Sequence, residues 1–359
     1  TYEPGGWMSW YASCYADLQD DAGAPIALLI RNRNCPFPFA ANGAQTNPDA
    51  LATALDTLPK LDYLYIDLEV WSGVEAAMVQ LNAAEITRMV RTHPNPRIAG
   101  AFIGNYADVP NRYDQAWIWP GRRDRTNSYT PDGGRWDRHA FYHSLFNIAM
   151  PVAYPYEVFS RHSETGIQGD SATPNDRAAI FWAPLERVSA SARELPEGHL
   201  LIPWVTNYVR SNGNPDTDHA PPPTLEDLIA LAQHIRMRGA RSYTIWTPDD
   251  DGTDHPTIDY RMFRDTTMAA WSSLDPYFEA AGPVEFLNLE TDKAAGVQWS
   301  AVRTGRQICV LVSNHLEHDH ARVGLPLIGG LPALSAEVPA SAHRILSFEC
   351  NPAVRDFNR

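Results

Sequence analysis

Positive charge is in short supply. In 359 residues, 29 Lys and Arg stand against 43 Asp and Glu, a formal net charge of −14. Phosphate recognition needs clustered cations, so nucleic acid is not expected as a partner. Adhesion to an anionic membrane surface is not expected either. No apolar run reaches the ~18 residues that a membrane-crossing helix requires. Cysteine is sparse, and Cys14, Cys35, Cys309 and Cys350 form no CxxC pair, which argues against a zinc ribbon. Cys309 and Cys350 both fall in strand-like stretches, where a disulfide and two buried thiols are the alternatives. The turns GxGxxG and GxxxxGKS/T are missing, which weakens a nucleotide-binding open sheet. HExxH, GxSxG and Cys-His nucleophile patterns are also absent, and no metal and no cofactor is implied. The start at Thr1 without a basic-then-apolar leader fits a mature chain, and a secreted or periplasmic protein is the expectation.

What the chain does have is apolar and aromatic substance. Apolar residues make up 44%, with 11 Trp among them, and this composition excludes a disordered chain. From about residue 25 to 272, strand patterns alternate with helix patterns. Strands are expected at 25–30, 61–69, 97–104, 146–154, 200–206 and 242–246, with a further one at 7–11. Helices are expected at 48–58, 74–91, 135–144, 176–195, 224–237 and 260–274. Repeated β-then-α units with buried strands imply a parallel sheet. Their number and spacing fit an α/β fold of the (β/α)8 TIM barrel type. After Pro276 the pattern changes to short strands at 297–302, 307–313, 321–325 and 344–348. The expected organisation is a catalytic barrel over 1–278 and a small C-terminal antiparallel β-sandwich-like domain over 279–359.

The densest chemical signal is Leu-Asp-Tyr-Leu-Tyr-Ile-Asp-Leu-Glu-Val-Trp at 61–71. Asp67 and Glu69 stand at i and i+2 on a strand, a spacing that shares one face. Two carboxylates cannot be buried in a core without partners, so the C-terminal mouth of the barrel is their economical place. About 6–7 Å apart there, each raises the other's proton affinity. One ionised and one protonated carboxyl is the equipment of a general acid beside a charge stabiliser. Other strand ends carry aromatics and amides: Asn105 and Tyr106; Tyr154 and Tyr156; Trp204, Asn207 and Tyr208; and Trp246. Ring platforms with amide partners suit a carbohydrate, which offers C–H faces and hydroxyls.

Asp-Leu-Glu-Val-Trp at 67–71 resembles the Asp-x-Glu-x-Trp segment of the hyaluronidases, a glycoside hydrolase family. Arg-Ile-Ala-Gly-Ala-Phe-Ile-Gly-Asn-Tyr at 97–106, Ala-Tyr-Pro-Tyr at 153–156, Pro-Trp-Val-Thr-Asn-Tyr-Val-Arg at 203–210 and Arg-Gly-Ala-Arg-Ser-Tyr-Thr-Ile-Trp at 238–246 resemble later segments of that family. The family's cysteine framework is absent and the C-terminal β domain is foreign to it. The resemblance implies a retaining enzyme acting at a 2-acetamido sugar by substrate-assisted catalysis. Glu69 would protonate the glycosidic oxygen and Asp67 would orient the acetamido group. Trp246 would wall the sugar subsite, and Tyr154 or Tyr156 would support the N-acetyl oxygen.

Two rivals stand beside this reading. Glu157, pointing inward, would restore a two-carboxylate mechanism on a neutral or uronic polysaccharide. A catalytically silent carbohydrate-binding barrel is the other. Lesser features are the arginines Arg122, Arg123 and Arg125, which suit anionic groups but equally a solvated loop. The acids of 249–254 read as a mouth loop more readily than as a calcium loop. His315, His318 and His320 read as an exposed hairpin rather than a metal site.

Overall fold

A computed structural model describes residues 27–31, 52–53, 55–56, 58–67, 76–107, 145–154, 177–207, 223–246, 258–279, 282–287, 297–315, 321–325, 334–340 and 342–349. Contacts divide the chain into two units, Thr1–Pro151 with Leu195–Leu200, and Val152–Glu194 with Leu201–Arg359.

The first unit is built on parallel strands. β1 (Ala27–Arg31), β2 (Tyr63–Asp67), β3 (Phe102–Ala107) and β4 (Ile148–Pro151) lie in chain order, each hydrogen-bonded to the next. Every adjacent pair is parallel. Leu200, at the start of β5 (Leu200–Leu201), extends this unit by donating to the Asn147 carbonyl at 2.9 Å. Between β2 and β3 run helix α1 (Ala76–Arg91) and the short α2 (Pro96–Ala99). Ile86 and Val90 of α1 and Ile98 of α2 are fully buried, as are Leu64 and Ile66 of β2 and Ile103 of β3. Burial of each such side chain stabilises the unit by about 1.5–3 kcal/mol. Arg91 reaches from α1 to the carbonyls of Ala99 and Ala101, at 3.0 and 2.7 Å, and so ties the helix end to the entry of β3.

The strand expected at 97–104 begins later than its composition suggests. Asn95 caps α2 by accepting from the Arg97 amide, and Pro96 occupies the first helical turn. Both are helix-start chemistry, so one helical turn is inserted and the strand moves to Phe102–Ala107. β3 and β4 then approach closely at Gly104. A Cβ there would stand 2.6 Å from the Met150 sulfur and 2.8 Å from the Ile148 Cβ.

In the second unit, β6 (Trp204–Thr206) and β7 (Thr244–Trp246) are parallel, and Val152 forms a parallel bridge with Trp204. The single strand expected at 200–206 is interrupted at Ile202-Pro203, where proline supplies no amide donor to a ladder. Helices α3 (Arg177–Glu194), α4 (Leu225–Arg236), α5 (Tyr260–Ser272) and α6 (Asp275–Phe278) complete the helical part. α4 opens on a reciprocal capping box: the Asp227 amide donates to Thr224 Oγ1 at 3.2 Å, and the Thr224 amide donates to Asp227 Oδ2 at 2.8 Å.

Antiparallel pairing starts at β8 (Val284–Phe286). It continues through β9 (Val297–Thr304), β10 (Gln307–Asn314) and β13 (Ala342–Glu349), in the order β13-β10-β9-β8. β11 (Ala321–Leu325) and β12 (Leu334–Val338) form a separate pair. β8 and β12 were not foreseen, since neither carries a regular alternation long enough to stand out. Both faces of the four-stranded sheet are covered. Ala301, Ile308, Val310 and Val312 cluster with Val338, while Val302, Cys309 and Leu311 cluster with Met237 and Leu274. Parallel β/α organisation followed by an antiparallel C-terminal sheet is therefore the architecture of the described residues. The expected strand and helix at 7–11 and 135–144 lie outside them.

Candidate functional site

Asp67 is the last residue of β2, at the C-terminal edge of the first unit's parallel strands, where its backbone stands level with Arg31 of β1. Ile66 is level with Asn105, so the next step along the same register puts Tyr106, rather than Asn105, level with Asp67. Tyr106 is in turn level with Met150. Arg31, Asp67, Tyr106 and Met150 thus form one row across four strands. Sequence reading passed over Arg31. The available signal was an arginine directly after the apolar run of 25–30, meaningful only once β1 is known to pair with β2.

Asn105 is fully buried, in the row of Ile66. Glu69, Tyr156, Glu157 and Tyr208 lie outside the described residues, as do Arg122, Arg123, Arg125 and the acids of 249–254.

The remaining predicted residues fall in the second unit. Trp204 is level with both Val152 and Thr244, and Thr206 is level with Trp246. Two residues beyond Val152, Tyr154 reaches the same level as Thr206 and Trp246. The Ala153 amide donates to the Trp204 carbonyl at 2.8 Å, which holds this segment in line. Tyr154 and Trp204 are both buried. Asn207 is buried as well, and its amide nitrogen donates to the Ile258 carbonyl at 2.8 Å while the Ile258 amide donates to the Asn207 carbonyl at 2.9 Å. This two-way link joins the end of β6 to the chain entering α5. Asn207 Oδ1 meets no donor among the described residues. In backbone position, Asn207 follows the end of β6 and Trp246 ends β7, whereas Trp204 opens β6.

His315 departs from its expectation. It is buried, with its ring 4.1 Å from that of Phe181 and stacked at 15°, and does not sit on an exposed hairpin. His318 and His320 lie outside the described residues. No group of three or more metal-ligating side chains is found among the described residues. Cys309 is a free buried thiol, and burial pushes its pKa up to about 12. Cys350 lies outside the described residues.

No family model matches this chain. Nor does any curated protein. Among solved structures, the chain is similar to the cyclic α-maltosyl-(1→6)-maltose hydrolase of Arthrobacter globiformis, at 11% identity and a TM-score of 0.41, over 86% of this chain and 63% of that one. It is also similar to a GH36 α-galactosidase of Geobacillus stearothermophilus, at 11% identity and a TM-score of 0.37, over 84% and 36%. A modular endo-β-1,4-mannanase of Cellulomonas fimi matches at 11% identity and a TM-score of 0.38, over 95% and 76%. The chain thus spans less than two thirds of the length of the first of these. At TM-scores this low, function is read from the chain's own residues.

Proposed function

We propose that the chain is a retaining glycoside hydrolase on a (β/α)8 barrel with a C-terminal β-sandwich-like domain. The carrying observation is the position of Asp67 at the C-terminal end of β2, with Glu69 two residues further along the chain. Barrel enzymes place their chemistry at that edge. Tyr106, level with Asp67 in the first unit, and, within the second unit by itself, Tyr154 and Trp246 level with Thr206, suit a carbohydrate substrate.

The finer reading is cleavage of a polysaccharide or glycosaminoglycan at a 2-acetamido sugar. Glu69 donates its proton to the glycosidic oxygen as that bond breaks. The substrate's acetamido oxygen attacks the anomeric carbon from the opposite side and forms a cyclic oxazolinium. Asp67 holds the acetamido N–H and stabilises the positive charge that develops there. Water then opens the ring, and its proton returns to the Glu69 carboxylate, so the anomeric configuration is retained. Secretion or a periplasmic location fits a polymeric substrate. Of the two rivals, a two-carboxylate mechanism through Glu157 keeps the hydrolase reading, and a silent carbohydrate-binding barrel does not.

The test is Glu69→Gln assayed on a panel of glycosaminoglycans and polysaccharides. A loss of at least ~100-fold in kcat, with unchanged circular dichroism, is expected for removal of a general acid. Near-wild-type turnover sinks the proposal. Deacetylated substrate separates the mechanisms: it is inert under substrate assistance and cleaved under the Glu157 alternative.

A further inference from the structure

Within the second unit, a chain of polar side chains runs through apolar surroundings from α4 into the C-terminal sheet. Asp227 Oδ1 lies 3.2 Å from His343 Nε2, and His343 Nδ1 lies 2.7 Å from Ser313 Oγ. Ser313 Oγ lies 2.8 Å from His234 Nε2, and His234 Nδ1 lies 2.8 Å from Ser300 Oγ. Ser300 Oγ lies 2.8 Å from Arg238 Nε. Arg238 also donates to Ser189 Oγ on α3 and to the Trp299 carbonyl. Asp227, His234, Arg238, Ser300 and Ser313 are all buried.

The two ends dictate where every proton sits. The guanidinium can only donate, so Ser300 Oγ accepts from Arg238 and turns its own proton to His234 Nδ1. That nitrogen is then bare, and the His234 proton is on Nε2, donated to Ser313. Ser313 passes its own proton to His343 Nδ1. His343 carries its proton on Nε2 and donates it to the Asp227 carboxylate, which can only accept. One unbroken polarity, from the cation of Arg238 to the carboxylate of Asp227, uses each hydroxyl and imidazole proton once, with His234 neutral.

An added proton on His234 cannot be fitted into this scheme. If His234 takes it, Nδ1 becomes a donor to Ser300 Oγ, which already accepts from Arg238. Ser300 then accepts twice, and its own buried proton has no acceptor among the described residues, a loss that is costly inside a protein. A second cation then also stands one hydroxyl away from Arg238. Among the described residues, the other titratable groups acting on His234 are His343 on β13 and His315 beyond the end of β10. Arg187 on α3 is directed elsewhere, to the Val152 carbonyl. Arg236 on the far side of α4 engages Asp275.

We propose that the Asp227–His343–Ser313–His234–Ser300–Arg238 chain is an acid-sensitive latch, which holds β9, β10 and β13 on α4 while His234 is neutral and loosens when His234 takes up a proton. Its members come from positions as far apart as 227 and 343, so its integrity reports that docking. Burial, then the charge of Arg238, then the imidazoles of His343 and His315 hold the proton affinity of His234 well below the ordinary histidine value. An unfolded chain takes up this proton near pH 6.5, whereas the latched form does not. Docking is therefore at full strength above about pH 6.5 and weakens as pH falls below it.

Hydrogen exchange of the full chain, read by mass spectrometry from pH 7.5 to pH 5 and corrected for intrinsic rates, tests the proposal. Peptides covering 225–238, 297–314 and 342–349 should lose protection together, by up to ~10-fold per pH unit below about 6.5. Peptides covering β2 and β3 should not follow them. In His234→Gln, whose amide donates and accepts but cannot take up a proton, this slope should flatten. Flat protection in the wild type, or an unchanged slope in the variant, overturns the latch. Nitrogen NMR of the wild-type imidazoles at pH 7.5 gives a second reading that needs no variant. It should show Nε2–H and bare Nδ1 at both His234 and His343, and a proton on Nδ1 of either overturns the latch.

Discussion

At the scale of single residues, the parallel sheet depends on one missing side chain. Gly104 sits level with Ile148, and an added methyl group would press on the Ile148 Cβ and on the Met150 side chain. The methionine is flexible enough to yield, but the isoleucine Cβ is anchored to its strand. Gly104→Ala should therefore destabilise the first unit by about 2 kcal/mol, the range of core overpacking, measurable as a lower denaturation midpoint in urea. Nothing in the stretch Phe-Ile-Gly-Asn-Tyr announces this role, because the clash is with residues more than forty positions away. Asp67 is a contrasting case. Its place on a strand was legible from the alternation of 61–69, and so was its position near the strand's end. Its row-mates were not, because register belongs to pairs of strands.

At the scale of elements, local chemistry was the better guide. Thr224 and Asp227 announced the start of α4 in the sequence, and the capping box is present. Thr224→Ala removes the acceptor for the Asp227 amide and should cost about 1 kcal/mol, again readable by urea denaturation. The same local rules explain where the expected elements shifted. Asn95 and Pro96 insert a helical turn before β3, and Pro203 splits the strand expected at 200–206. Short elements such as β8 and β12 escaped because three to five residues carry too little periodicity to stand out. At this scale most described strands and helices were read with displaced edges, and 97–99, expected as strand, is helical.

At the scale of the whole molecule, the C-terminal sheet falls within the second unit and shares a core cluster with Met237 and Leu274. Cys309 marks the docking, since it packs in a cluster with Met237 and Leu274. With its thiol buried and its pKa near 12, the thiolate at pH 8 amounts to a fraction on the order of 10⁻⁴. Native protein treated with iodoacetamide at pH 8 should leave Cys309 unmodified in a peptide map, and modification should appear only with unfolding of this unit. Rapid labelling of the native chain would show that the sheet detaches readily.

The order of β and α elements among the described residues, the helix caps and the place of Asp67 on a strand were determined by the sequence itself. Each arises from residues within a few positions of one another, where backbone period and hydrogen-bonding chemistry act directly. Only the tertiary structure decided which strands pair and in what register, that Arg31 and Tyr106 stand level with Asp67, and that His234 and His343 belong to one hydrogen-bonded chain. Those facts join positions tens to more than a hundred residues apart. Burial brings such groups together, and only then do donor, acceptor and charge constrain one another.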